Sequence, residues 1–139
     1  MYTHIDFLSA AKGSEQDMLL NIMQELQVRQ GDEIVPHHPT EGARCFLIIA
    51  GMVWVDDEVL GRWLLPPGDL FGIEDLYLGG TPGQRYRAAS DATLMTLRRD
   101  ALNGLLASPT AVARNLQVEM ARVAGRTAQR RLARLARLL

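Results

Sequence analysis

A chain of 139 residues with 47% hydrophobic content and one cysteine has room for one domain and an appended element, and it excludes an internal disulfide. The formal net charge of −1 conceals a division: residues 1–108 hold eight Lys and Arg against fifteen Asp and Glu, a net −7, whereas residues 109–139 hold seven Arg against Glu119, a net +6. Apolar runs are short, the one from Cys45 to Met52 containing Gly51, so no membrane span is expected, and the lone Cys45 suits a reducing cytoplasm.

Residues 1–11 carry Asp6 and no basic start, unlike a signal peptide. From Ser14 to Leu26 the apolar residues Met18, Leu19, Ile22, Met23 and Leu26 recur at helical spacing behind an N-cap serine, which predicts a short amphipathic helix over 14–26. β-Prone runs then alternate with turn signals to about Leu97. The runs are residues 33–35, 45–50, 52–55, 59–65, 86–89 and 93–97; the turns include Gly31-Asp32, Asp56-Asp57, Pro67-Gly68 and Pro82-Gly83. Strands at this density indicate an all-β barrel or jelly roll and not βαβ units. Cys45, inside an apolar run, reads as a small buried hydrophobe. Helical texture returns over 99–106, and Ser108-Pro109 has the form of a helix start.

The last segment lacks proline and is rich in Ala, Leu and Arg. Val118, Ala121, Gly125, Ala128, Leu132, Leu135 and Leu139 alternate at spacings of three and four, a coiled-coil seam that is narrow in the middle and bulky at its end. A second stripe, Val112, Leu116, Met120, Val123 and Thr127, occupies a neighbouring face. Two apolar faces predict a helix held between its own domain and a second copy of the chain; the alternative is a helix folded back on its own barrel.

Four short motifs lie in order along the chain. Gln30-Gly31-Asp32-Glu33-Ile34 is followed by Phe46-Leu47-Ile48-Ile49-Ala50-Gly51-Met52-Val53, then by Pro67-Gly68-Asp69-Leu70-Phe71-Gly72 and by Ala88-Ala89-Ser90-Asp91-Ala92-Thr93-Leu94. In sequence and spacing they resemble the CRP/FNR family. The resemblance implies a mainly β fold with flanking helices (α+β): a cyclic-nucleotide-binding-like double-stranded β-helix, or jelly-roll barrel, plus a long C-terminal dimerisation helix. The sensor barrel would occupy residues 1–108 and the helix residues 109–139, with no helix-turn-helix domain in the chain.

The family's phosphate-binding cassette follows a phenylalanine–glycine pair with glutamate and later supplies an arginine. Here Phe71 and Gly72 are followed by Ile73, with Glu74 one place later, and the arginine position falls at Pro82. Arg85 and Arg87 come three and five places on and share one face of a strand, either the pocket or solvent. From the long helix, Arg126 and Thr127 correspond to the family's ligand-contacting positions. The candidate ligand residues are therefore Phe71, Gly72, Ile73, Glu74, Arg85, Arg87, Arg126 and Thr127, with an effector other than cyclic AMP and of unassigned identity.

The function implied is the effector-sensing and dimerisation module of a transcription regulator, a homodimer that meets DNA only through a domain absent from this chain. Two alternatives stand beside it: a stand-alone cyclic-nucleotide-binding regulatory protein, and a basic-helix interaction protein without a small ligand. Catalysis and metal binding are not expected. The histidines are His4, His37 and His38, and the adjacent pair between Pro36 and Pro39 reads as a solvated loop.

Overall fold

The computed structural model describes residues 17, 21–38, 42–73 and 83–108, and beyond them 113, 114, 117, 118, 121, 122, 125, 129, 132, 133, 136 and 137. The elements in chain order are β1 (Met23–Val28), β2 (Glu33–Ile34), β3 (His37–His38), β4 (Gly42–Ala50), β5 (Val53–Asp57), β6 (Gly61–Leu65), β7 (Leu70–Phe71), β8 (Gln84–Ala88), β9 (Ala92–Arg98) and α1 (Arg99–Leu106). They form two antiparallel sheets. The first runs β1-β9-β4-β3, with β7 also paired to β4; the second runs β2-β8-β5-β6.

The apolar run at Cys45 reads as continuous because the first sheet is covered on both faces. Phe46 and Ile48 of β4 join Leu94 of β9 against Val53, Val55, Leu65 and Tyr86 of the second sheet. The intervening Cys45 and Leu47 point the other way, with Met95 and Leu97, onto Leu102 and Leu105 of α1. Alternation along each strand thus feeds two cores. The three-residue spacing of Leu102 and Leu105 puts both on one face of α1, and Asp100 in its first turn suits the helix dipole.

Three expectations are corrected. The predicted helix over 14–26 is too long: Asp17, Asn21 and Ile22 are helical, but Met23–Val28 is strand β1, paired with β9 from Met23↔Leu97 to Val28↔Ala92. Leu26 and Val28 also satisfy a period of two, and a six-residue ladder against the central strand β9 outweighs local helical preference. The second correction is His37-His38, whose backbone forms β3 against Gly42 and Ala43 of β4 rather than a loop. Third, the run predicted over 59–65 begins only at Gly61, because Val59 and Leu60 belong to the β5–β6 turn.

Beyond Ser108 the described residues have helical backbone, and Ala113 is buried. Of the predicted seam, Val118, Ala121, Gly125 and Leu132 are exposed, while Ala128, Leu135 and Leu139 lie outside the described residues. The whole second stripe, Val112 to Thr127, lies outside them too.

Candidate functional site

Strand β7 ends in Phe71, whose ring stacks on Phe46 with centroids 4.9 Å apart and meets Tyr86 at 4.8 Å. Gly72 follows with φ +83°, and a Cβ there would lie 3.3 Å from the Arg44 carbonyl oxygen and 3.5 Å from the Cys45 Cα. Only a residue without a side chain turns the chain this close to β4. Ile73 is half-buried and packs against the core cluster that includes Leu102 and Leu105 of α1. Glu74, Arg126 and Thr127 lie outside the described residues. The Arg44 guanidinium lies 5.1 Å from the Phe46 ring centroid, a cation that sequence reading did not single out.

Gly83, just before β8, has φ +78°. Its carbonyl accepts the Glu58 N–H at 2.9 Å, and a Cβ on Gly83 would lie 3.0 Å from Glu58 Oε2. A carboxylate thus stands against the residue that follows the family's arginine position.

Strand β8 decides between pocket and solvent for the two arginines. Tyr86 and Ala88 face inward and are buried, whereas Arg85 and Arg87 are exposed on the outer face of the second sheet. Across the ladders Arg87 stands opposite Glu33 and Trp54, and Arg85 opposite Asp56. On the same face Arg62 lies over the Trp54 ring at 3.9 Å and pairs with Asp56 at 3.1 Å. An open cleft of about 540 Å³ at the hairpin end collects Asp56, Asp57, Glu58, Arg62 and Arg85. The candidate arginines therefore belong to an outer charged face and do not join Phe71 and Gly72.

A part-buried polar chain extends from the aromatic stack to the hairpin end. The Tyr86 hydroxyl donates to Gln84 Oε1 at 2.9 Å, and Gln84 Nε2 donates to Asp57 Oδ2 at 3.2 Å. Asp57 Oδ1 accepts the N–H groups of Val59 and Leu60 at 2.9 and 2.8 Å, closing the β5–β6 turn. Sequence reading missed this network, although its signal was present: a strand that turns Arg85 and Arg87 outward must turn Tyr86 in.

Cys45 is buried in the first sheet, and burial pushes its thiol up from 9.0 to about 12. It is a neutral packing residue at ordinary pH. Among the described residues no helix is long and apolar enough to cross a membrane, and no three His, Cys, Asp or Glu side chains gather as a metal site.

Neither a family model nor a curated protein sequence matches the chain. Solved structures do. The catabolite activator protein of Thermus thermophilus is 27% identical, with a TM-score of 0.69 over 94% of this chain, which spans 62% of that protein's length. A cyclic nucleotide-binding domain from Methylobacillus flagellatus matches at 18% identity and a TM-score of 0.74, over 97% of this chain and 82% of that one. The N-terminal domain of a transcriptional regulator from Streptomyces coelicolor matches at 23% identity and a TM-score of 0.60, over 87% of this chain and 89% of that one. The chain has a CRP/FNR-like cyclic-nucleotide-binding fold.

Proposed function

We propose that this chain is the effector-sensing and dimerisation module of a CRP/FNR-type transcription regulator. The observation that carries the reading is the union of two features. One is a fold shared with regulators and cyclic-nucleotide-binding domains; the other is a set of helical positions whose apolar side chains are bare, Val118 at 50% and Leu132 at 66% exposure. In this reading residues 1–108 are the sensor and residues 109–139 a continuous helix that pairs with its copy through the Val118–Leu139 seam.

The effector site begins at Phe71, Gly72 and Ile73, continues through Glu74, and is completed by Arg126 and Thr127 of the helix. The effector is not cyclic AMP. An apolar Ile73 stands where a carboxylate would be needed, Pro82-Gly83-Gln84 offers no guanidinium, and Glu58 sets a negative charge against Gly83. Effector binding shifts the equilibrium between two packings of the helix pair by binding one of them more tightly.

Native mass spectrometry of the purified chain tests this. A dimer carrying a non-covalent small-molecule adduct is expected, and a monomer without adduct at micromolar concentration would overturn the reading.

A further inference from the structure

We propose that Tyr86 is a positioning residue that couples the Phe71–Gly72 end of the effector site to the β5–β6 hairpin. The inference rests on reading Phe71 and Gly72 as the start of that site. It extends the reading by assigning how an event there reaches a surface turn.

Tyr86 is 6% exposed and touches both places through different chemistry. Its ring meets Phe71 at 4.8 Å with planes tilted by 36°, and Phe71 is backed by Phe46 at 4.9 Å. Its hydroxyl donates to Gln84 Oε1 at 2.9 Å. That contact sets the orientation of the Gln84 amide, which has one acceptor and one donor side, so that Nε2 is aimed at Asp57 Oδ2, 3.2 Å away. The other oxygen of the same carboxylate holds the Val59 and Leu60 N–H groups. Asp57 and Gln84 also face one another across the β5–β8 ladder, so the side-chain chain runs along an already rigid register.

Moving the Phe71 ring therefore changes the support of the Tyr86 ring. A vacated ring position draws neighbouring side chains into the space. A tilt of Tyr86 toward it takes the hydroxyl away from Gln84, releases the amide and loosens the carboxylate that closes the turn. In the other direction, a partner that captures Asp57 reorients Gln84 and frees Tyr86 to move against Phe71. Coupling of this kind is demonstrated by non-additivity and not by proximity.

The test is amide hydrogen exchange of the full chain by NMR, reading Val59 and Leu60 and using Leu94 and Met95 of the central strand β9 as the reference for global opening. Tyr86→Phe should speed exchange at Val59 and Leu60 about tenfold relative to β9, the equivalent of one ordinary hydrogen bond. Phe71→Leu alone should produce a comparable acceleration at the same two amides, and Phe71→Leu added to Tyr86→Phe should produce no more. Phe71→Met, which keeps most of the side-chain volume, serves if the leucine variant does not fold. Turn amides unmoved by the Phe71 variants, or effects of the two positions that add in full, would overturn the coupling. Because no effector is present in the measurement, its outcome is independent of whether the chain binds one.

Discussion

Gly51 lies directly against Ala92: a Cβ built on the glycine would stand 2.7 Å from the Ala92 Cα and would also collide with the Asp91 carbonyl oxygen. The glycine turns β4 into β5 at φ +84°, and the neighbours it would strike, backbone atoms and the Ala92 Cβ, cannot swing aside. Gly31 has a similar φ of +92° but open space around it. Gly51→Ala should therefore cost about 3–5 kcal/mol, combining left-handed strain with overpacking, whereas Gly31→Ala should cost only about 1–2 kcal/mol of strain. Urea unfolding of the two variants measures the difference, and equal losses would remove the steric argument.

Association through the last helix is the second expectation. Leu132→Glu combined with Leu135→Glu places two charges per chain in an apolar seam and should convert dimer to monomer in light scattering. A double variant that stays dimeric moves the interface elsewhere.

How far these features were legible beforehand depended on whether one period dominated a segment. The turn glycines and the residues flanking them marked most strand ends, and the 99–106 helix was read with its observed bounds. β1 was hidden because Met23 and Leu26 fit a helical repeat as well as Leu26 and Val28 fit a strand, and only pairing with β9 breaks the tie. β7 is two residues long and leaves no periodic trace. The sharp turn after β7 was legible at Phe71 and Gly72, where motif and backbone demand coincide. The outward facing of Arg85 and Arg87 was not legible, because alternation says that two residues share a face without saying which face is covered.

Cys45 gives stability a pH dependence of definite sign. Its folded-state pKa is raised from 9.0 to about 12 by burial, so above pH 9 the unfolded chain loses a proton that the folded chain keeps. The contribution is intact below about pH 9 and falls as pH rises toward 12, by about 1.4 kcal/mol per unit at its steepest. Unfolding free energies at pH 7, 9 and 10 should diverge from those of Cys45→Ala, the wild type losing more between pH 9 and 10. Parallel curves would show that the thiol ionises freely in the folded protein.

Cyclic AMP should bind weakly or not at all. Holding its single negative charge requires charge-assisted hydrogen bonds that contribute roughly 1.5–3 kcal/mol each, so loss of one arginine fork costs about one to two decades of affinity. Arg85 cannot supply the fork from the outer face of the sheet. Titration calorimetry with cyclic AMP should show no micromolar site, and Arg85→Ala should change nothing. A micromolar or tighter dissociation constant abolished by that substitution would mean that β8 rearranges to bring the arginine inward.

The two tryptophans stand on opposite sides of the β5–β6 ladder. Trp63, opposite Val55, is turned toward the core, while Trp54, opposite Arg87, faces outward beneath the Arg62 guanidinium. The chain thus carries two native fluorophores that look in different directions. With Trp54→Phe, the remaining emission reports the barrel interior and should respond to changes at Phe71 or Tyr86. With Trp63→Phe it reports the outer charged face, where added salt, by loosening Arg62 from Asp56, should alter the quenching of a solvent-side indole. Inner and outer surfaces can then be followed separately in solution without attaching a dye.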